Sequence, residues 1–216
     1  MSTVAPRRGG RPSRLQTAQL QEIILDVATD LFLSHGFGAT SIEAVAARAR
    51  ISKRTFYHRF RDKADLFEAV VRRLIGRWLP PFEARLLEAG PLDELLRRLA
   101  SHILVVALSP EALALHRMLI DGAQRFPQLA QVMTEAGATK GVEHIAALLA
   151  REAQAGRLAI ANSRFAAEQF LNMVVSGPQK RALGFGQPLS PAELELWTRS
   201  TVELFLDGCR GPRPQS

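Results

Sequence analysis

Residues 40–67, TSIEAVAARARISKRTFYHRFRDKADLF, contain three closely spaced helix-start signals. Thr40 and Glu43 have the spacing of a capping box, in which the hydroxyl accepts the N3 amide and the carboxylate returns to the N-cap amide. Ser52 is the second expected N-cap, and Asp62 is the third. The stretch therefore predicts three helices in close succession.

The middle helix of the three, expected from Lys53 to Phe60, is short and basic. A tight turn at residues 50–51 would join it to the helix that begins at Thr40. Two helices joined in this way form a helix-turn-helix, whose second helix enters the major groove of DNA. The groups it offers to phosphates and base edges are those of Lys53, Arg54, Thr55, Tyr57, His58 and Arg59.

Residues 20–74 resemble the DNA-binding domain of the tetracycline-repressor (TetR) family. One departure is Arg50, where the family commonly has glycine. Such a residue often takes a positive φ, which costs a non-glycine side chain about 1 kcal/mol, so we expect a slightly strained turn. The matching motifs are His35-Gly36-Phe37, Thr40-Ser41-Ile42, Ile51-Ser52-Lys53-Arg54-Thr55-Phe56-Tyr57, Phe60 and Asp62-Lys63.

The resemblance implies an all-α fold of about nine helices, with an N-terminal three-helix helix-turn-helix domain and a C-terminal helical domain for ligand binding and dimerisation. It also implies that Phe56 and Phe60 anchor the basic helix from beneath, and that Tyr57, His58, Thr40 and Lys63 contact phosphates. By residue type, Arg54 and Lys53 are candidates for guanine edges, and Thr55 for a thymine methyl or a phosphate. The expected DNA-binding residues are Thr40, Ser52, Lys53, Arg54, Thr55, Tyr57, His58 and Lys63, together with Arg7, Arg8 and Arg11.

Charge and composition favour double-stranded DNA as the partner. Residues 1–75 carry +6 of the net charge of +7, on the same part of the chain as the helix-turn-helix. The single cysteine, Cys209, excludes an intrachain disulfide framework and fits a reducing compartment. No apolar run is longer than that of residues 103–108, which is too short to cross a bilayer. We expect a bacterial cytoplasmic, nucleoid-associated protein without a membrane segment.

The N-terminal arm, residues 1–16, is basic and broken by glycine and proline, which predicts disorder in the free protein. Arg7, Arg8 and Arg11 resemble the Gly-Arg-Pro hook that lies in an A·T-rich minor groove. A solubilising tail is an equally open interpretation of the same residues.

Beyond the arm, the expected domains are a helix-turn-helix domain at 17–62, a connecting helix at 63–79, an effector-binding and dimerisation domain at 80–210, and a disordered tail at 211–216. The first helix should end near Gly36 and Gly38. The connecting helix should stop or kink at residues 78–81, because proline removes a backbone donor. Further helices are expected over 81–88, 92–108, 110–125, 127–155, 163–176 and 191–207.

Catalytic patterns are missing from the sequence, and neither an enzyme nor a cofactor or metal is expected. The histidines do not have the spacing of a helical zinc site, and no phosphate loop, dinucleotide fingerprint or nucleophile elbow is present. An enzyme with an incidental helix-turn-helix would need His102, His116 and Glu143 to gather around a metal.

In TetR-like proteins the C-terminal domain encloses a small effector, and the resemblance implies such a pocket here. The segments 117–129 and 156–158 are similar to the AefR subgroup of the family. Asp121 is equally compatible with ion pairs to Arg117 and Arg125. Each of the apolar candidates is also compatible with a plain core. The candidates for a pocket that holds a small hydrophobic effector are Trp78, Phe82, His102, His116, Met118, Asp121, Phe126, Met133, Phe170 and Met173.

The last two helices carry apolar stripes. The family pairs these helices across a two-fold axis as a four-helix bundle, although such stripes can also close the core of a monomer. The expected dimer-interface residues are Phe170, Val174, Leu194, Trp197, Thr201, Leu204 and Phe205.

We therefore expect a ligand-responsive transcriptional regulator, a repressor rather than an activator, that binds a palindromic operator as a homodimer. By analogy with the family, a small effector would shift the fourth helix and release the operator. The alternative is a non-specific architectural DNA-binding protein that has no effector.

Overall fold

The structure, a computed structural model, describes residues 14–86, 90–122 and 139–209. Over these ranges the chain forms α-helices and no β-strand, which confirms the expected all-α class. The chain divides into an N-terminal unit, Met1–Val70, and a C-terminal unit, Val71–Ser216. The helices are α1 (Arg14–Ala39), α2 (Ile42–Arg48), α3 (Lys53–Tyr57), α4 (Lys63–Leu86), α5 (Leu92–Ala107), α6 (Pro110–Gly122), α7 (Thr139–Gln154), α8 (Ser163–Ala182) and α9 (Pro191–Cys209).

Helix α1 contributes buried side chains to the core of the N-terminal unit. One face of this helix is buried in the core through Ile24, Leu25, Ala28, Leu31 and Phe32, whereas Ile23 is 48% exposed. The regular helix breaks at Gly36, where φ is 81°, as the glycine predicted. Phe37 then turns inward and stacks on Phe32 with ring centroids 5.7 Å apart, and both rings contact Phe67 edge-on.

Helix α4 begins at the predicted cap but runs past its predicted end. The Asp65 amide donates to the Asp62 carboxylate at 2.8 Å, and the Asp65 carboxylate accepts from the Arg61 amide at 2.8 Å. The helix was expected to stop or kink at residues 78–81. It does not stop there, since it continues through both prolines to Leu86, and the kink stays a prediction. Each proline lacks a backbone N–H and so removes one hydrogen-bond donor, but the loss of these two donors does not end the helix.

The C-terminal unit has its core between α5, α7, α8 and α9. Leu96 and Leu99 of α5 are fully buried, as are Ile145 of α7 and Phe170 of α8. Phe170 packs against Phe205 of α9 with ring centroids 5.0 Å apart. The apolar stripes of four helices thus close one core.

Several predicted helix bounds in this unit shift. Helix α8 continues through Pro178 to Ala182, beyond the predicted end at residue 176. Helix α9 begins at a capping box, in which the Glu193 carboxylate accepts from the Ser190 amide at 2.7 Å. The expected helix at 127–155 is described only from Thr139 onward. Residues 87–89, 123–138 and 210–216 lie outside the described ranges, and the predictions for them, including the C-terminal tail, stay untested.

In the described part of the chain, no single helix is both long and apolar enough to span a membrane. Helices α5 and α6 meet those criteria only as a pair over Leu92–Ala107 and Pro110–Ile120, and they are bent by 67°.

Candidate nucleic-acid interface

The first helix of the motif, α2, is capped by Ser41. Its hydroxyl accepts from the Ala44 amide at 3.1 Å. The predicted Thr40 cap is wrong, because the Thr40 hydroxyl donates to the Gly36 carbonyl at 2.8 Å, with the Leu31 carbonyl at 3.2 Å. Thr40 is only 3% exposed. A hydroxyl buried in this way ties α1 to α2 and is not available to a phosphate.

The turn between α2 and α3 forms with the expected strain. Arg50 has a φ of 55°, the only positive φ of a non-glycine residue in the described ranges. The Ile51 amide donates to the Ala46 carbonyl at 2.9 Å, which closes the end of α2. The turn therefore survives the replacement of the family's glycine by arginine.

Helix α3 begins at the predicted cap, where the Ser52 hydroxyl accepts from the Thr55 amide at 3.0 Å. The Ser52 and Thr55 hydroxyls lie 2.8 Å apart. The helix ends at Tyr57, earlier than the predicted Phe60. Phe56 is fully buried and Phe60 nearly so, as expected for the residues that anchor α3 from beneath.

The outer face of α3 presents several predicted DNA-contact residues to solvent. Tyr57 is 54% exposed, and Arg54 and His58 are exposed as well. Within the described ranges, the Arg54 guanidinium has neither a hydrogen-bond nor an ion-pair partner. Arg59 points elsewhere and donates to the Thr55 carbonyl at 3.3 Å. Arg54 is thus free to donate to a base edge.

Lys53, the first residue of α3, is paired with an acidic residue of α2. Its Nζ atom lies 2.6 Å from Glu43 Oε1, and both side chains are well exposed. The hydrogen bond from Lys53 lowers the pKa of Glu43, and the same bond raises the pKa of Lys53. The sequence analysis assigned Glu43 to a capping box and did not predict its ion pair with Lys53. The sequence does show an acidic residue near the start of the helix that precedes the basic helix.

The Lys63 ammonium is engaged by backbone carbonyls, and the phosphate contact that the resemblance implied stays a prediction. Its Nζ donates to the carbonyls of Phe37 and Thr40 at 2.8 Å, and the Gly38 carbonyl is 3.4 Å away. The ammonium also lies 4.5 Å from the centre of the Phe37 ring. Burial lowers its pKa. An ammonium has three donors, and here they point at three carbonyls. Lys63 therefore fastens the start of α4 to the end of α1.

The remaining predicted DNA contacts, Arg7, Arg8 and Arg11, lie outside the described residues. Their assignment to a minor groove stays a prediction.

The C-terminal unit carries an apolar groove of about 640 Å³ between α8 and α9. Leu204 is 67% exposed and Leu196 is 52% exposed. The Trp197 indole donates to the Val174 carbonyl at 3.0 Å, and a methyl group on Gly177 would come within 2.5 Å of that ring. The residues that line the groove are Asn172, Met173, Ser176, Gly177, Leu189, Glu193, Leu196, Trp197, Ser200, Thr201 and Leu204.

Part of the predicted dimer interface faces inward. Phe170 and Val174 are fully buried and Phe205 is 6% exposed, so these three residues belong to the core of the unit. Leu204, Trp197 and Thr201 line the groove, and Leu194 packs partly against the core. Both faces of α9 are apolar, so the stripe alone did not distinguish the inner face from the outer one. The spacing Leu196, Ser200, Leu204 marks the outer face.

The predicted effector-pocket residues do not gather at one described cavity. His102 lines a polar cleft of about 590 Å³ between α5 and α9, where Arg97, Arg98 and Arg199 are its neighbours. Met173 lines the apolar groove.

Of the other predicted pocket residues, Phe170 is in the core, Met118 is buried on α6, and Trp78 is half-buried on α4. His116 is half-buried on α6, and this burial lowers its pKa. The side chains of Phe82, Asp121, Phe126 and Met133 are outside the described part.

No group of three His, Cys, Asp or Glu side chains in the described ranges is arranged to hold a metal ion. Helix α3 is capped by Ser52, carries exposed basic side chains and packs on the buried Phe56 and Phe60, and a larger helical unit follows it in the chain. These features are those of a helix-turn-helix regulator.

The family models and relatives agree with this class. Residues 24–70 match the bacterial regulatory proteins of the tetR family, and residues 94–208 match the C-terminal domain of AefR-like transcriptional repressors. The regulator RutR of Escherichia coli K12 is 30% identical over 161 residues, which are 74% of this chain and 73% of that protein. The repressor Rv3405c of Mycobacterium tuberculosis is 32% identical over 161 residues, covering 68% and 78% of the two chains.

Solved structures show the same architecture. A TetR-family transcriptional regulator from Mesorhizobium loti has a TM-score of 0.79 and is 31% identical, covering 89% of this chain and 97% of that one. The flavonoid-responsive regulator FrrA has a TM-score of 0.77 and is 26% identical, covering 91% and 100%. The chain belongs to the TetR family of DNA-binding transcriptional regulators, and the AefR-like character of its C-terminal part is confirmed.

Proposed function

We propose that this protein is a ligand-responsive repressor that binds a palindromic operator as a homodimer and is released by a small hydrophobic effector. The observation that carries the proposal is the outer face of α3, where Arg54, Tyr57 and His58 project to solvent over the buried Phe56. Arg54 donates to a guanine edge and supplies discrimination, while Tyr57 and His58 contact phosphates and supply salt-dependent affinity.

The dimer forms through the apolar groove between α8 and α9, with a second copy of the chain as its partner. Leu196 and Leu204 line this groove and are more than half exposed, so apolar surface is in contact with water. An isologous contact with a second copy would bury that surface. A two-fold dimer presents two copies of α3 to successive major grooves, about 34 Å apart, which matches a palindromic operator. In this role the protein acts in the bacterial cytoplasm, on DNA of the nucleoid.

The effector binds in the C-terminal unit. FrrA is named as flavonoid-responsive, and α4 and α6 of this chain offer a half-buried Trp78, a half-buried His116 and a buried Met118. Sites for small molecules are lined mostly by apolar and aromatic side chains with a few polar groups, and side chains of these types suit a small aromatic molecule. The effector need only favour the state that does not bind DNA by a few kcal/mol to release the operator.

The test of the DNA-binding role is a competition between a palindrome from the region upstream of the protein's own gene and random duplexes at fixed salt. We expect the palindrome to be preferred by about 10³-fold or more. A ratio near one would contradict the proposal and favour an architectural DNA-binding protein.

The matched variant in the same experiment is Arg54→Ala. Its affinity for the palindrome should fall by about 1–3 kcal/mol, and selectivity at one base pair of each half-site should relax. Its affinity for random DNA should change far less than its affinity for the palindrome. Equal losses on both DNAs would instead mark Arg54 as a phosphate contact.

The effector is tested by adding flavonoids and other small aromatic molecules to the complex of protein and palindrome. At least one molecule should release the DNA and, by linkage, bind the free protein more tightly than the complex. A panel in which every compound leaves the complex intact would argue against an aromatic effector without affecting the DNA-binding assignment.

A further inference from the structure

The pair formed by Glu43 and Lys53 lies at the end of α3 that such motifs direct at DNA. Glu43 is the second residue of α2 and Lys53 is the first residue of α3, so the contact joins the two helices of the motif. The 2.6 Å distance between Nζ and Oε1 brings the carboxylate to the N-terminus of α3. In a docked helix-turn-helix, the N-terminal residues of the second helix contact base edges.

We propose that Glu43 and Lys53 act together as one base-reading unit for a G·C pair, so that α2 as well as α3 determines the operator sequence. This inference rests on the proposed operator binding and deepens it. It makes Glu43 a specificity residue, in addition to the basic side chains of α3.

The chemistry of the pair matches one base pair in the major groove. Guanine presents two acceptors, O6 and N7, and its cytosine partner presents the N4 amino donor. An ammonium only donates and a carboxylate only accepts, so Lys53 suits guanine and Glu43 suits cytosine. Opposite thymine, the carboxylate would meet the O4 acceptor and a methyl group. The contact with Lys53 holds the carboxylate within reach of the same base pair.

A negative charge at this place also has an electrostatic consequence. Because DNA phosphates are negative, Glu43 lowers the attraction to every sequence alike. The arrangement therefore gives up some general affinity and gains rejection of wrong base pairs.

The experiment compares the wild-type protein with Glu43→Gln, which keeps the shape of the side chain and removes its charge. Each protein is equilibrated with a library of palindromic duplexes, the bound DNA is sequenced, and affinity for random duplex is measured in parallel. The wild type should select G·C at one position of each half-site. Glu43→Gln should lose this preference by about tenfold or more and shift towards A·T, because an amide pairs with adenine N6 and N7.

A matched control is available in Asp30→Asn. Asp30 Oδ2 lies 3.3 Å from Arg48 Nη2 in an ion pair of similar exposure, and it joins α1 to α2 instead of α2 to α3. This variant removes the same charge from the same unit, so its affinity for random duplex should rise as in Glu43→Gln while its base preference stays that of the wild type. Lys53→Gln should change preference at the same position as Glu43→Gln.

A selective wild type together with an unchanged base preference in Glu43→Gln would overturn the inference and leave the proposed function standing. Altered preference at different positions in Glu43→Gln and Lys53→Gln would overturn the idea of a single unit. A wild type without any base preference would overturn the proposed function, and the inference with it.

Discussion

Replacing Lys63 with methionine is expected to lower the free energy of unfolding of the N-terminal unit by about 2–3 kcal/mol. The wild-type ammonium donates to the carbonyls of Phe37 and Thr40 and lies over the Phe37 ring. Methionine keeps the length of the side chain but has no donor, so the part-buried carbonyls at the end of α1 lose their charged partner. Thermal and urea unfolding followed by circular dichroism measure the loss.

The control for this variant is Arg61→Met, a cation two residues earlier whose side chain is 83% exposed. Its unfolding free energy should stay within about 0.5 kcal/mol of the wild type. If Lys63 instead contacts a phosphate, as the family resemblance implied, Lys63→Met should lose DNA affinity and keep its stability. The structural assignment of Lys63 would be wrong if Lys63→Met unfolded like the wild type and changed only DNA binding. In that case the slope of log affinity against log salt concentration would fall by about 1, as expected for the loss of one phosphate contact.

Replacing Leu204 with arginine should convert the protein to a monomer and weaken operator binding by about 100-fold or more. Leu204 is 67% exposed at the groove between α8 and α9, so a charge there should leave the core of each chain intact. In the proposed dimer it would place two guanidinium groups in an apolar contact. Loss of the second half-site accounts for the fall in affinity, since two linked sites bind far more tightly than one.

Analytical ultracentrifugation and operator titration measure the two effects, and unfolding curves confirm that the variant folds. Val105→Arg is the matched control, because Val105 is an apolar residue that is 73% exposed on α5 and does not line this groove. It should leave both assembly and operator affinity unchanged. If Leu204→Arg remained a dimer of wild-type affinity, the second copy would have to be placed on another surface.

The local signals of the sequence were sufficient where a residue's partner lies within one helical turn. Ser52 and Asp62 cap the helices that they were predicted to cap. Arg50 takes the expected positive φ because the geometry of the turn is set by residues next to it. Phe56 and Phe60 are buried as the motif required.

Local signals failed where two neighbouring residues compete for the same role. Thr40 and Ser41 are both good N-caps, and the choice between them was made by the carbonyl of Gly36, which gives Thr40 another partner. With the cap moved to Ser41, Glu43 sits one position nearer the cap than a capping box requires and reaches Lys53 instead. Pro80 and Pro81 failed as a stop signal, since α4 continues through them.

The sequence by itself determined the helical class, the helix-turn-helix and most helix starts, because caps, periodicity and charge act between residues close in the chain. Only the tertiary structure decided that the Lys63 ammonium donates to carbonyls more than twenty residues away in the chain. It also decided that Leu204 faces outward while Phe205 beside it is buried. Which of two apolar faces is buried, and which cation donates its hydrogen bonds within the protein, depends on long-range packing that no local pattern encodes.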